Sequence, residues 1–292
     1  MSDEEQQLWH RFKFISRVAE LTKDPEDVLE VINSCAKLGC GLLAKERRLL
    51  ASGYQKRVLA KLEKWFIVSK IQFQGDKHFS ALAKEYLKRL EDEITLICNE
   101  ILLTVNDYLL PLSSTGEDGV FYYRMKGEYY SYLAEVKSDA DRQEALSQSL
   151  QAYEAATAVA KSDLPPTDKL RLHLADSFSA FLYDVMDNTE RARDIATKAI
   201  KDASAELHML DIKSYKKCAR CILKLKERIA LWTPDHSDDE EDLQPPPRPS
   251  WFDEVDFAEL CCIGGNRMAL EHNENLLVSE GAKRFRPVVY PQ

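Results

Sequence analysis

The chain has 292 residues, 45% hydrophobic and 30% charged, a composition typical of globular proteins. Its net charge of −9 sits mostly at one end: 13 acidic and 5 basic residues lie from Asp235 onward, and subtraction from the totals of 49 and 40 leaves 36 against 35 before it. A near-neutral body lacks the basic patch that nucleic-acid binding needs, and no apolar run is long enough to span a membrane, so neither partner is expected.

Only 10 Gly and 11 Pro are present, and prolines crowd toward the end, so few breakers interrupt the rest. The pattern predicts a helix over residues 4–22. DPEDVLEVINSCAKLG follows, with Asp24 as N-cap, Pro25 at the first helical position, and Val28, Val31, Ile32 and Cys35 as its apolar set. Helical patterns then run from Ala44 to about Gln74 and from Phe79 to about Leu110, the second stopped by Pro111. Further helices are predicted from Gly119 to Val136, Ala140 to Ala160, Thr167 to Met186, Thr189 to Ala205 and Ile212 to Trp232. The fold class is all-α, about nine antiparallel helices over residues 1–234 and no strand. Residues 235–292 form a second region, an acidic block at Asp238 to Asp242 and then Pro245, Pro246, Pro247 and Pro249, expected to be largely flexible. Beyond it, Trp251, Phe252, Val255, Phe257 and Leu260 are spaced either for a docking helix or for a weakly ordered tail.

Seven irregularly spaced cysteines and an acidic start, MSDEEQQLWH, point to a reducing, cytoplasmic setting without a disulfide framework. Cys218 and Cys221 form a C-x-x-C inside a helical pattern, without the second Cys or His pair that zinc needs, and are expected to pack as small residues. His173 and His208 are expected on the surface or as core filler. No sequence motif assembles a nucleophile, a base and an anion hole, so no enzyme activity, metal or cofactor is expected. FYYRMKGEYYSYLAEV, Phe121 to Val136, concentrates aromatic rings that are either core or the lining of a site.

That stretch resembles a run in the 14-3-3 family, F-Y-x-x-M-K-G-[DE]-Y-Y-R-Y-L-A-E-V. KERRLLASGYQKRV at Lys45 to Val58, Trp65, LADSFSAFLYD at Leu174 to Asp184 and KERIALWTPD at Lys226 to Asp235 also resemble family segments, in the same order and with small gaps over residues 10–235. The resemblance implies all-helical dimers with a concave groove in each subunit. It also implies an adaptor role in signal transduction, with client proteins bound through phosphoserine or phosphothreonine segments.

The resemblance assigns the groove residue by residue, and most of the phosphate grip is replaced. The family's lysine position is Gln55, and its two arginine positions are Leu62 and Ser131; only the tyrosine remains, as Tyr132. A further basic position is Phe66, while Arg124 and Lys126 keep two others. The backbone-fixing asparagines are Ser177 and Arg228, a leucine neighbouring the first is Asp176, one leucine of the apolar wall is Lys224, and Asp184 and Trp232 keep their character. Gln55, Leu59, Leu62 and Phe66 lie at i, i+4, i+7 and i+11, which predicts one apolar face where the family's is basic. Three lost charged hydrogen bonds remove on the order of 4.5 kcal/mol, about a thousandfold in affinity. Selectivity for phosphate is therefore expected to be weakened or altered. The alternatives are that Arg124, Lys224 and Arg228 supply the charge from other walls, or that the chain is a helical scaffold using its outer surface.

For the dimer, as homodimer or with a related chain, the resemblance implies an ion pair of Asp27 with Arg89 and apolar contacts by Val18, Val68, Ile71 and Tyr86. A second family pair becomes Asp24 against Glu93, like against like. The tail is a further candidate occupant of the groove, and Ser237 and Ser250 are its candidate phosphorylation sites.

Overall fold

The structure, a computed structural model, describes residues 41–70 and 77–232 and, before them, positions 10, 13, 14, 17, 29, 32–34, 36, 37 and 39. Seven α-helices cover most of the described residues: α1 (Ala44–Lys70), α2 (Lys77–Leu103), α3 (Gly116–Val136), α4 (Asp139–Asp163), α5 (Lys169–Asp184), α6 (Thr189–Glu206) and α7 (Ile212–Trp232). No strand occurs among the described residues. The first two predicted helices fall mainly outside them, although the described positions 29, 32–34, 36 and 37 are helical. Of the apolar set predicted there, Ile32 is buried and the other three residues lie outside the description.

Side chains set several of the helix starts. Glu46 reaches back to accept from the Leu43 backbone N–H at 2.8 Å. Thr115 accepts from Asp118 N–H at 3.1 Å ahead of α3. Asp168, just after Pro165 and Pro166, accepts from the N–H groups of Leu170 and Arg171 and opens α5. Each satisfies backbone donors that a first turn leaves without an intrahelical partner. The helix expected to run to about Leu110 instead ends at Leu103; a π-helical turn, Thr104–Leu109, and a short 3-10 turn, Leu110–Leu112, carry the chain past Pro111.

The helices form two layers. α1 touches α3, α3 touches α5, and α5 touches α7; α2, α4 and α6 pack behind them. One apolar cluster joins α1, α2 and α3 with Leu29, Ile32 and Ala36, and a second joins α4 to α7 with Val120 of α3. The α3–α4 contact is close because Gly127 faces Tyr153: a Cβ there would lie 2.8 Å from ring atoms. Ser149 Oγ donates to the Gly127 carbonyl at 2.8 Å beside it.

Candidate functional site

The candidate groove residues come from the four helices of the first layer. On α1, Gln55 and Phe66 are half-buried, and Lys70 Nζ stands 3.8 Å from the Phe66 ring centroid. Leu62 corrects an expectation. It is only 2% exposed and belongs to the core cluster, with Leu59 packed against that cluster, so this part of the predicted face is turned into the protein while Gln55 and Phe66 stay half-buried. A leucine at that position joins Val58 in the core, where a charged side chain would have to reach solvent.

On α3, Ser131 is buried and Tyr132 is half-buried, its ring edge-on to Tyr129 at 5.5 Å. Phe121, Tyr122 and Tyr129 are buried, so they are core rings. Arg124 is also buried and is ion-paired with Glu128 one turn on. Ser177 Oγ of α5 donates to the same Glu128 carboxylate at 2.9 Å. Burial pulls the Lys126 ammonium down from its ordinary pKa, and its Nζ lies 5.8 Å from the Tyr123 ring.

Between α5 and α7 stands an ionic cluster that sequence reasoning did not assemble. Asp176 is 2% exposed; its Oδ2 accepts from Lys224 Nζ at 2.8 Å and its Oδ1 from Arg228 Nε at 2.6 Å. Burial pushes this carboxyl up, but the charges of Arg228 and Lys224 outweigh it and hold the pKa below its ordinary value. His173, one turn before, is half-buried. Burial and the charges of Arg124, Lys169 and Lys224 lower it to about 4, so it is neutral at pH 7. Nearer the C-terminal ends of α3 and α5, burial raises Asp184 to about 6 against the pull of Arg228. Burial and then the Asp184 charge raise Glu135 to about 7. Trp232 is buried and stacks on Tyr183 with centroids 4.8 Å apart.

The other predicted residues are only partly placed. Arg89 is exposed, lies 4.8 Å from the Tyr86 ring and sits 3.7 Å from Glu93, which is also ion-paired with Lys61 Nζ at 2.6 Å. Val68 is half-buried. Val18, Asp24, Asp27, Ile71, Ser237, Ser250 and the whole 235–292 tail lie outside the described residues. Cys218 and Cys221 are buried, and burial raises both thiols, Cys218 to about 12, which suits packing rather than thiol chemistry. No helix among the described residues is long and apolar enough to cross a membrane.

A layer of four helices that presents polar, aromatic and ion-paired side chains along one wall is the frame of a binding module. The family model described as 14-3-3 protein matches residues 15–233. Among similar proteins, 14-3-3 protein 7 of Solanum lycopersicum is 42% identical over 226 residues, 76% of this chain and 90% of the relative. 14-3-3 protein 9 of the same species is 38% identical over 237 residues, 80% and 91% of the two chains. The 14-3-3-like protein GF14 epsilon of Arabidopsis thaliana is 38% identical over 226 residues, 76% and 89%. The chain belongs to the 14-3-3 family, whose members are non-enzymatic adaptors.

Proposed function

We propose that this chain is a dimeric cytoplasmic adaptor whose groove binds client segments without depending on phosphoserine or phosphothreonine. The observation that carries the reading is the pairing of three of the groove's remaining cations, Lys126 being the fourth and standing against the Tyr123 ring. Arg124 is held by Glu128, and Lys224 and Arg228 by Asp176. Gln55, Leu62 and Ser131 bring no charge to the positions that would otherwise grip phosphate. Drawing Lys224 and Arg228 onto a phosphate would leave Asp176 buried and uncompensated. Breaking such a pair costs about 3–5 kcal/mol, against about 1.5–3 kcal/mol for each charged hydrogen bond gained. The exchange is close to even, so phosphate adds little affinity.

A second reading keeps phosphate as the ligand, read by Arg124, Lys224 and Arg228. The charges of Arg124, Lys169 and Lys224, which add to burial in lowering His173, favour it. Fluorescence titration of the full chain with phosphorylated and unphosphorylated forms of one client peptide separates the two. Affinities within about threefold of each other support phosphate independence. A preference of a hundredfold or more for the phosphorylated form, roughly 2.7 kcal/mol, would sink it in favour of the second reading. The acidic tail is the intramolecular candidate for the same groove. Removing residues 236–292 should raise client affinity if it competes there, and unchanged affinity would exclude self-occupation.

A further inference from the structure

We propose that a cavity behind α5 binds a small anionic amphiphile, a short apolar body carrying one carboxylate. The cavity measures about 110 Å³ and lies between α4, α5 and α6. It is on a different face of α5 from the groove residues. His173, Asp176, Ser177 and Asp184 share one side of that helix, whereas Arg171, Leu174 and Phe178 lie roughly 140° round it. Alanines create the space: Ala160, Ala175 and Ala199 line it where larger side chains would fill it. Leu174 and Phe178, both buried, and half-buried Ile195 complete an apolar interior. An apolar cavity of about 150 Å³ holds a benzene ring, so this one has room for the end of a short acyl chain.

The rim sets the sign of the head group. Lys161 of α4, Arg171 of α5 and Lys198 of α6 converge there from three helices, and Asp202 is the one carboxylate of the lining among the described residues. Arg124, Lys224 and Arg228 are ion-paired with carboxylates, whereas none of these three rim cations makes an ion pair among the described residues. Arg171 Nη1 donates to the Leu164 carbonyl at 2.8 Å, which fixes its guanidinium at the edge. Lys161 and Lys198 are exposed and line the cavity. An anionic head is drawn to this ring of charge, a cationic one is repelled, and the size of the cavity limits occupancy to one chain end.

Octanoate tests the proposal on the full chain, by isothermal titration calorimetry and by displacement of the fluorescent anion 1-anilinonaphthalene-8-sulfonate. Saturable binding of one octanoate per chain is expected, with octan-1-ol and octylamine roughly tenfold weaker or worse. Ala199→Phe, which fills the cavity, should lower octanoate affinity roughly tenfold. The surface double variant Lys161→Glu/Lys198→Glu should do the same with an unchanged circular dichroism spectrum, so the test survives a folding defect in Ala199→Phe. Absence of saturation at millimolar octanoate, equal binding of octan-1-ol, or full affinity in the double variant would overturn the proposal.

Discussion

Asp176 decides how the α5–α7 wall behaves, because one buried carboxylate compensates two cations. Asp176→Asn keeps the shape and removes the charge. It should destabilise the chain by about 2–3 kcal/mol in urea unfolding, below the full value for a buried pair because Lys224 is 35% exposed and can turn to water. The effect has a pH signature. The folded-state pKa of Asp176 is depressed, so its stabilisation is fully present above its ordinary value of 3.8 and is lost as pH falls through the folded value. The gap between wild type and Asp176→Asn should therefore be constant from pH 7 to about 5 and close in stronger acid. A gap that persists at pH 2 would mean the asparagine acts through packing. The register of the candidate groove positions is legible in the sequence, since the motifs around Tyr132 and Trp232 fix it. The ionic cluster is not, because its members lie 48 and 52 residues apart and no local spacing joins them. Its visible sign is that an aspartate and two cations replace wall residues expected to be uncharged. Leu62 departs from expectation for a related reason: a helical face read from spacing alone does not say which neighbour covers it.

At the scale of elements, α3 and α4 approach closely because Gly127 has no side chain. Tyr153, which a new Cβ would strike, is itself wedged against Phe178 at 5.1 Å and Phe181 at 5.4 Å and has little room to yield. Gly127→Ala would gain about 1 kcal/mol of helix propensity. Overpacking against a held ring costs about 1–3 kcal/mol, and the upper part of that range applies here. A net loss of about 1–2 kcal/mol in chemical denaturation is expected. A stabilised Gly127→Ala would show that the helices can part at no cost. The helices are legible wherever a cap or a proline punctuates the chain, as at Asp168 and Pro165. The π-helical turn over Thr104–Leu109 is not, because its residues continue the helical pattern and only the wider hydrogen bonding distinguishes it.

At the scale of the whole molecule, the proposed dimer turns on Glu93. Placing it against Asp24 of a partner chain sets like charges together, yet Lys61 and Arg89 of its own chain already hold it. The hydrogen bond from Lys61, above the opposing effect of burial, lowers the Glu93 pKa, so the carboxylate is charged at neutral pH. In the proposed dimer, Glu93→Gln removes the repulsion with Asp24 and frees Arg89 for the expected pair with Asp27. Each exposed charge contact contributes about 0.2–1 kcal/mol, and a two-fold interface counts it twice. The dimer dissociation constant should fall roughly three- to tenfold in sedimentation velocity at low micromolar concentration and low salt. The advantage should shrink as added salt screens these exposed charges. A weaker Glu93→Gln dimer would show instead that the Lys61–Glu93–Arg89 cluster shapes the interface, and a chain that stays monomeric in both forms would remove the dimer from the proposed function.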